Sequence, residues 1–196
     1  METENKQIMV LYGADSVLEN NQVTLGPRTK TYCNYLVQCI KERMVDFLCK
    51  VYLGAGINPK FGDDKKSLAE VMHLEIAANF IWPPCRGKKL IPRISENKKA
   101  WGSIEETRAI LDMLVIDGEV EPIVFSSKYH LWRVKLIWWI LRKENAAFAV
   151  IKPTFVAIDT PFERWVWYEI GFLFLTIPDY FFNFRRFRSN RKLATV

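Results

Sequence analysis

Pro122-Ile123-Val124-Phe125-Ser126-Ser127-Lys128-Tyr129-His130-Leu131-Trp132-Arg133 passes directly from a short apolar run into a stretch of helical spacing. The run Pro122 to Phe125 reads as a buried strand, and a helix is expected from about Tyr129 to Arg142. Two earlier stretches repeat the passage. Ser67-Leu68-Ala69-Glu70 and Ser103-Ile104-Glu105-Glu106 each open a helix after a short apolar run, with glutamate three residues beyond serine. Strands that alternate with helices form a parallel sheet, so all three junctions fall at its carboxyl edge, where α/β proteins bind ligands.

Extended outward, the alternation covers most of the chain. Ile8 to Tyr12 is a first strand ending at Gly13, followed by a long polar loop with Asp15, Asn20, Asn21 and Gly26-Pro27. Thr29 to Met44 has helical spacing, and Asp46 to Leu53 is a second strand that stops at Gly54-Ala55-Gly56. The helix begun at Ser67 is stopped by Pro83-Pro84, since proline donates no backbone bond and disfavours a helical predecessor. Lys89 to Ile94 is a weak third strand whose Pro92 predicts an edge or a bulge. Ser103 to Ile116 is the clearest helix, ended by Asp117-Gly118. Ala147 to Ile151 reads as a fifth strand and Pro161 to Leu175 as a last, tryptophan-rich helix. The expected fold is therefore α/β, with three layers and a mainly parallel sheet of about five strands. Residues 1–180 form one domain and residues 181–196 a basic aromatic tail.

Composition narrows the function classes. With 196 residues, 49% of them hydrophobic, the chain can bury one sizeable core. Net charge is +6, yet the tail alone carries five basic residues and no acid. The high pI is thus a tail property and predicts no nucleic-acid partner. Cys33, Cys39, Cys49 and Cys85 show neither zinc nor disulfide-scaffold spacing, which favours reduced thiols, no metal and a cytoplasmic location. The amino terminus has no signal-peptide pattern. The most apolar stretch, Trp165 to Phe184, is broken by Glu169, Pro178 and Asp179, so no spanning helix is expected.

Each junction residue has a plain structural role beside its functional one. Ser67 with Glu70, and Ser103 with Glu106, fit capping boxes, while free N–H groups at helix starts fit an anion. Gly54-Ala55-Gly56 suits either a tight turn or a backbone brought close to a ligand; a dinucleotide or P-loop fingerprint is missing. Ser126, Ser127, His130 and Arg133 combine hydroxyl, imidazole and guanidinium for phosphate or carboxylate, with His130 a candidate acid or base. Solvated or core-satisfied roles compete for the histidine and the arginine, and His73 reads as structural. Arg28 can reach the crevice from the first loop, and Glu105 and Glu106 are candidates for general base or hydroxyl recognition. The tail, with Phe181, Phe182, Phe184, Arg185, Arg186 and Arg188, fits either a membrane surface or a solvated terminus.

Taken in order, these junctions resemble the YdcF/SanA/ElyC-like family of bacterial proteins, a conserved domain of unknown function, over nearly the whole chain. Gly13 and Arg28 are similar to its first glycine turn and following arginine. Tyr52-Leu53-Gly54-Ala55-Gly56 with Ser67-Leu68-Ala69-Glu70 resembles its second junction. Ser95 with Ser103-Ile104-Glu105-Glu106-Thr107 resembles its third, and Val124 to Arg133 its Val-Thr-Ser-x-x-His-x-x-Arg block. Gly54 stands where the family has serine, Ser103 where it has threonine and Glu106 where asparagine is common. The resemblance implies a Rossmann-like domain that binds a small anionic or nucleotide-like ligand, S-adenosylmethionine or a phosphorylated metabolite. It leaves two other readings: a transferase or hydrolase on a phosphorylated cell-envelope precursor, and a peripheral membrane or interaction factor in envelope maintenance.

Overall fold

The computed structural model describes residues 6–13, 15–42, 48–56, 61, 65–80, 89–95, 103–159, 167, 170, 171 and 174. Seven strands and five helices are defined within them. The strands are β1 (Lys6–Leu11), β2 (Ser16–Glu19), β3 (Gln22–Leu25), β4 (Leu48–Leu53), β5 (Lys89–Ile94), β6 (Ile123–Ser127) and β7 (Thr154–Ile158). The helices are α1 (Pro27–Glu42), α2 (Leu68–Phe80), α3 (Ser103–Ile116), α4 (Leu131–Glu144) and α5 (Ala146–Ala149).

Five strands form one parallel sheet in the order β5-β4-β1-β6-β7, and β2 and β3 form a separate antiparallel hairpin. Alternation along each strand splits the core in two, because successive side chains leave opposite faces of the sheet. Met9, Leu11, Val51, Leu53 and Phe125 pack with α1 and α2 on one face. Val10, Tyr12, Tyr52 and Val124 pack with α3, α4 and α5 on the other. The result is a three-layer α/β/α, Rossmann-like fold, as the alternating sequence predicts. Strand order reverses at β1, so the gap between the carboxyl ends of β1 and β6 is the topological switch point.

Several local readings agree closely and two do not. Helix α3 has the bounds expected of it and ends in a Schellman arrangement. Gly118 sits at φ 69° and the Glu119 N–H reaches the Leu114 carbonyl at 2.8 Å. Pro92 lies on β5, an edge strand. The stretch Ala147 to Ile151, however, is not the fifth strand. Ala146–Ala149 is a short helix, begun where the Asn145 side chain accepts the Ala147 N–H at 2.9 Å, and alanine favours helix over strand. The fifth strand is β7, whose Thr154, Val156 and Ile158 have the branched side chains that strands favour. The first loop likewise holds the β2–β3 hairpin. Asn20 and Asn21 take the two positive φ values, 48° and 61°, that a tight two-residue turn requires.

The last helix expected at Pro161 to Leu175 lies mostly outside the described residues, although Trp167, Ile170, Gly171 and Phe174 are helical. The tail and Cys85 also lie outside them. Cys33, Cys39 and Cys49 are free thiols, and burial pushes the Cys33 thiol up to about 12. Among the described residues no helix is long and apolar enough to cross a membrane.

Candidate functional site

The parallel sheet delivers Gly13, Gly54, Ser95, Ser126 and Ser127 to one edge, but the donors there are unequally available. At the start of α2, Ser67 and Glu70 make a reciprocal capping box. The Ser67 N–H donates to Glu70 Oε2 at 2.5 Å and the Glu70 N–H to Ser67 Oγ at 3.1 Å. The Leu68 and Ala69 N–H groups donate to the carbonyls of Gly56 and Ala55 at 3.0 and 3.1 Å. The leading N–H groups that would greet an anion are thus taken up within the chain.

The α1 start is closed in a different way. Asp15 reaches across the hairpin, and its carboxylate accepts the Thr29 N–H at 2.9 Å and faces Arg28 Nε at 3.4 Å. Arg28 is therefore held at the Asp15 cap. The glycines answer to packing. A Cβ on Gly54 would stand 2.7 Å from Ile110 Cγ1 and 2.8 Å from the Glu106 carbonyl oxygen, while one on Gly13 would press into Leu68. Gly54 lets α3 approach the sheet, and Gly13 does the same for α2. Ser95 follows the edge strand, with its N–H on the Leu53 carbonyl at 3.0 Å.

The opposite face of the same edge is chemically richer. Ser126 is the register neighbour of Tyr12, one step beyond the Leu11–Phe125 pair, and both side chains leave the sheet toward α3 and α4. Trp138 Nε1 donates to Tyr12 Oη at 2.8 Å, and the Thr107 hydroxyl donates to the Ser103 carbonyl at 2.6 Å. Thr107 has no second proton. The 2.8 Å contact between Tyr12 and Thr107 is therefore donated by the tyrosine, and the chain of donors from Trp138 to Ser103 is complete. Burial raises the Tyr12 phenol further above its ordinary value. Tyr12 is a fixed wall of the site, and its proton is committed.

Beyond that wall lie Glu106, Arg133 and His130. Burial pushes the Glu106 carboxyl up to about 8, and the neighbouring Arg133 guanidinium only partly offsets it. Arg133 Nη2 is 2.9 Å from His130 Nδ1. A guanidinium has only donors, so Nδ1 accepts and the ring's proton sits on Nε2. His130 packs edge-on to Tyr12 at 6.3 Å between ring centroids. The His130 backbone N–H donates to Ser127 Oγ at 3.2 Å, which fixes the turn into α4, and that helix start has no side-chain cap. Ser126 Oγ is fully buried and has no hydrogen-bond partner among the described residues.

Ser126, Glu106, His130 and Arg133 thus share one face of the switch point, with Ser103 and Glu105 on the first turn of α3. Ser67, Glu70 and Arg28 lie at the same edge but belong to the α1 and α2 layer. Tyr12, Thr107, Trp138 and Asp15 complete the two arrangements, and sequence reading assigned them no site role. The contacts of Asp15 with Arg28 and Thr29, and of Tyr12 with Thr107 and Trp138, span 13 to 126 positions, beyond any local spacing. Among the described residues no three metal-ligating side chains gather. Comparison with protein-family models, curated proteins and solved structures found no match.

Proposed function

We propose that the chain binds a small anionic or nucleotide-like ligand at the carboxyl edge of the sheet, on the α3 and α4 side of the gap between β1 and β6. One observation carries this reading: a buried, unpartnered Ser126 hydroxyl shares the strand end with the Arg133–His130 pair. A buried hydroxyl with no partner is costly unless something completes it. Guanidinium, an Nε2–H and a hydroxyl all donate, which suits phosphate or carboxylate. The resemblance to the YdcF/SanA/ElyC-like family favours S-adenosylmethionine or a phosphorylated metabolite, and a cytoplasmic setting.

A second reading makes the chain a transferase or hydrolase on a phosphorylated envelope precursor. Glu106, pushed up to about 8 by burial with Arg133 as its charged neighbour, favours it, because a carboxyl that holds its proton near neutrality can serve as an acid. The test is thermal denaturation with S-adenosylmethionine, nucleotides and sugar phosphates. A ligand at a hundred times its Kd adds about 2.7 kcal/mol to stability. Arg133→Ala should then weaken the binding of that ligand by about 1.5 to 3 kcal/mol, the range of a charge-assisted contact. Unchanged affinity with a large fall in Tm would make Arg133 a structural residue and remove the site from this face.

A further inference from the structure

Helix α4 has a second face that the site does not use. Its inner side, with Val134, Ile137, Trp138 and Leu141, is buried on the sheet. Its outer side exposes Trp132 (71%) and Trp139 (55%), seven residues apart and therefore in one line along the helix. Lys135 and Lys143 stand on the same line. Lys135 Nζ lies 5.6 Å from the Trp132 ring centroid and Lys143 Nζ 4.2 Å from that of Trp139. No acid interrupts the stripe, since Glu144 lies off it and pairs with Arg108.

Two exposed tryptophans on a 14-residue helix are a poor surface to leave in water. The indole is amphipathic, with an apolar body and an N–H, and it concentrates at the boundary between acyl chains and headgroups. A lysine over each ring places a cation at headgroup level. We infer that the outer face of α4 docks on an anionic bilayer interface, with Trp132 and Trp139 seated among the headgroups and Lys135 and Lys143 against their phosphates.

Two further features of the chain have the same apolar and cationic character. Trp167, Ile170 and Phe174 are helical, spaced along one line and all exposed. The residues after them include the five cations of positions 181–196. A single weak anchor gives marginal, reversible association, and a second signal makes it stable.

The experiment is cosedimentation of the full chain with phosphatidylcholine vesicles that contain or lack phosphatidylglycerol. The parent should bind the anionic vesicles and release them in high salt. Lys135→Gln with Lys143→Gln should weaken that binding roughly thirtyfold, at about fivefold for each cation. Trp132→Gln with Trp139→Gln should also weaken it and should reduce the fraction of the fluorescence that brominated acyl chains quench. All four positions are exposed, so the variants should keep the parent's Tm. Full binding by both double variants would overturn the assignment and move any membrane contact elsewhere. So would failure of the parent to bind, or self-association without vesicles that the tryptophan variant abolishes.

Discussion

Glu106 illustrates how much of this site rests on one side chain's surroundings. Its ordinary value is 4.5, and burial against Tyr12 holds it near 8 with Arg133 alongside. Between those values the unfolded chain has given up a proton that the folded chain retains, so the unfolded state binds fewer protons. The contribution of Glu106 to stability therefore falls as pH rises from about 4.5 toward 8, and levels off above. The loss is on the order of a few kcal/mol at ~1.4 kcal/mol per pH unit. Glu106→Gln should remove this slope, as read from urea denaturation at several pH values. A slope that persists in the variant would assign it to another group. The sequence names Glu106 as a candidate, because an acid three residues beyond Ser103 is visible locally. It cannot separate a capping carboxylate on the surface from a protonated one in the core. That difference depends on Tyr12 and Arg133, which come from other elements.

Helix starts show the same division at the level of elements. Three helix starts, those of α2, α1 and α4, differ in what their N–H groups do. The Ser67 start is closed by its own glutamate and by the Ala55 and Gly56 carbonyls, the α1 start by Asp15, and α4 begins without a side-chain cap. The capping box at Ser67 was legible because all its partners lie within three residues. The Asp15 cap was not, since it spans a hairpin whose Asn20-Asn21 turn gave only a loop signal. Gly54 belongs to this scale as well, since it sets the distance between β4 and α3. Gly54→Ala would drive a methyl against the Glu106 backbone oxygen, which moves only if the helix moves. The expected cost is about 1 to 3 kcal/mol of stability, the range for overpacking. Ligand affinity should fall with it, because α3 carries Ser103 and Glu106. A variant with parental Tm would show that α3 is free to shift outward.

The whole molecule turns on strand order. β1, β4 and β6 are each paired on both sides, whereas β5 and β7 are edges, so hydrogen exchange should be slowest in the three central strands and fastest in the edges and the β2–β3 hairpin. The alternation of strand and helix made the parallel sheet legible from the sequence. The order β5-β4-β1-β6-β7 was not, because pairing between strands more than a hundred residues apart leaves no periodic trace. Yet that order decides where a ligand belongs, since it opens the sheet at β1 and β6 and puts α1 and α2 on one side, α3 and α4 on the other. Exchange measured with and without S-adenosylmethionine, or with inorganic phosphate, tests this arrangement directly. Added protection is expected at Tyr12 and Gly13, at Ser126 to Arg133, and in the first turn of α3. Leu68, Ala69 and Glu70 should be unchanged, because their N–H groups are already bonded within the chain. Protection confined to those three amides would relocate the ligand to the α1 and α2 side, and the Arg133–His130 pair would then be part of the scaffold.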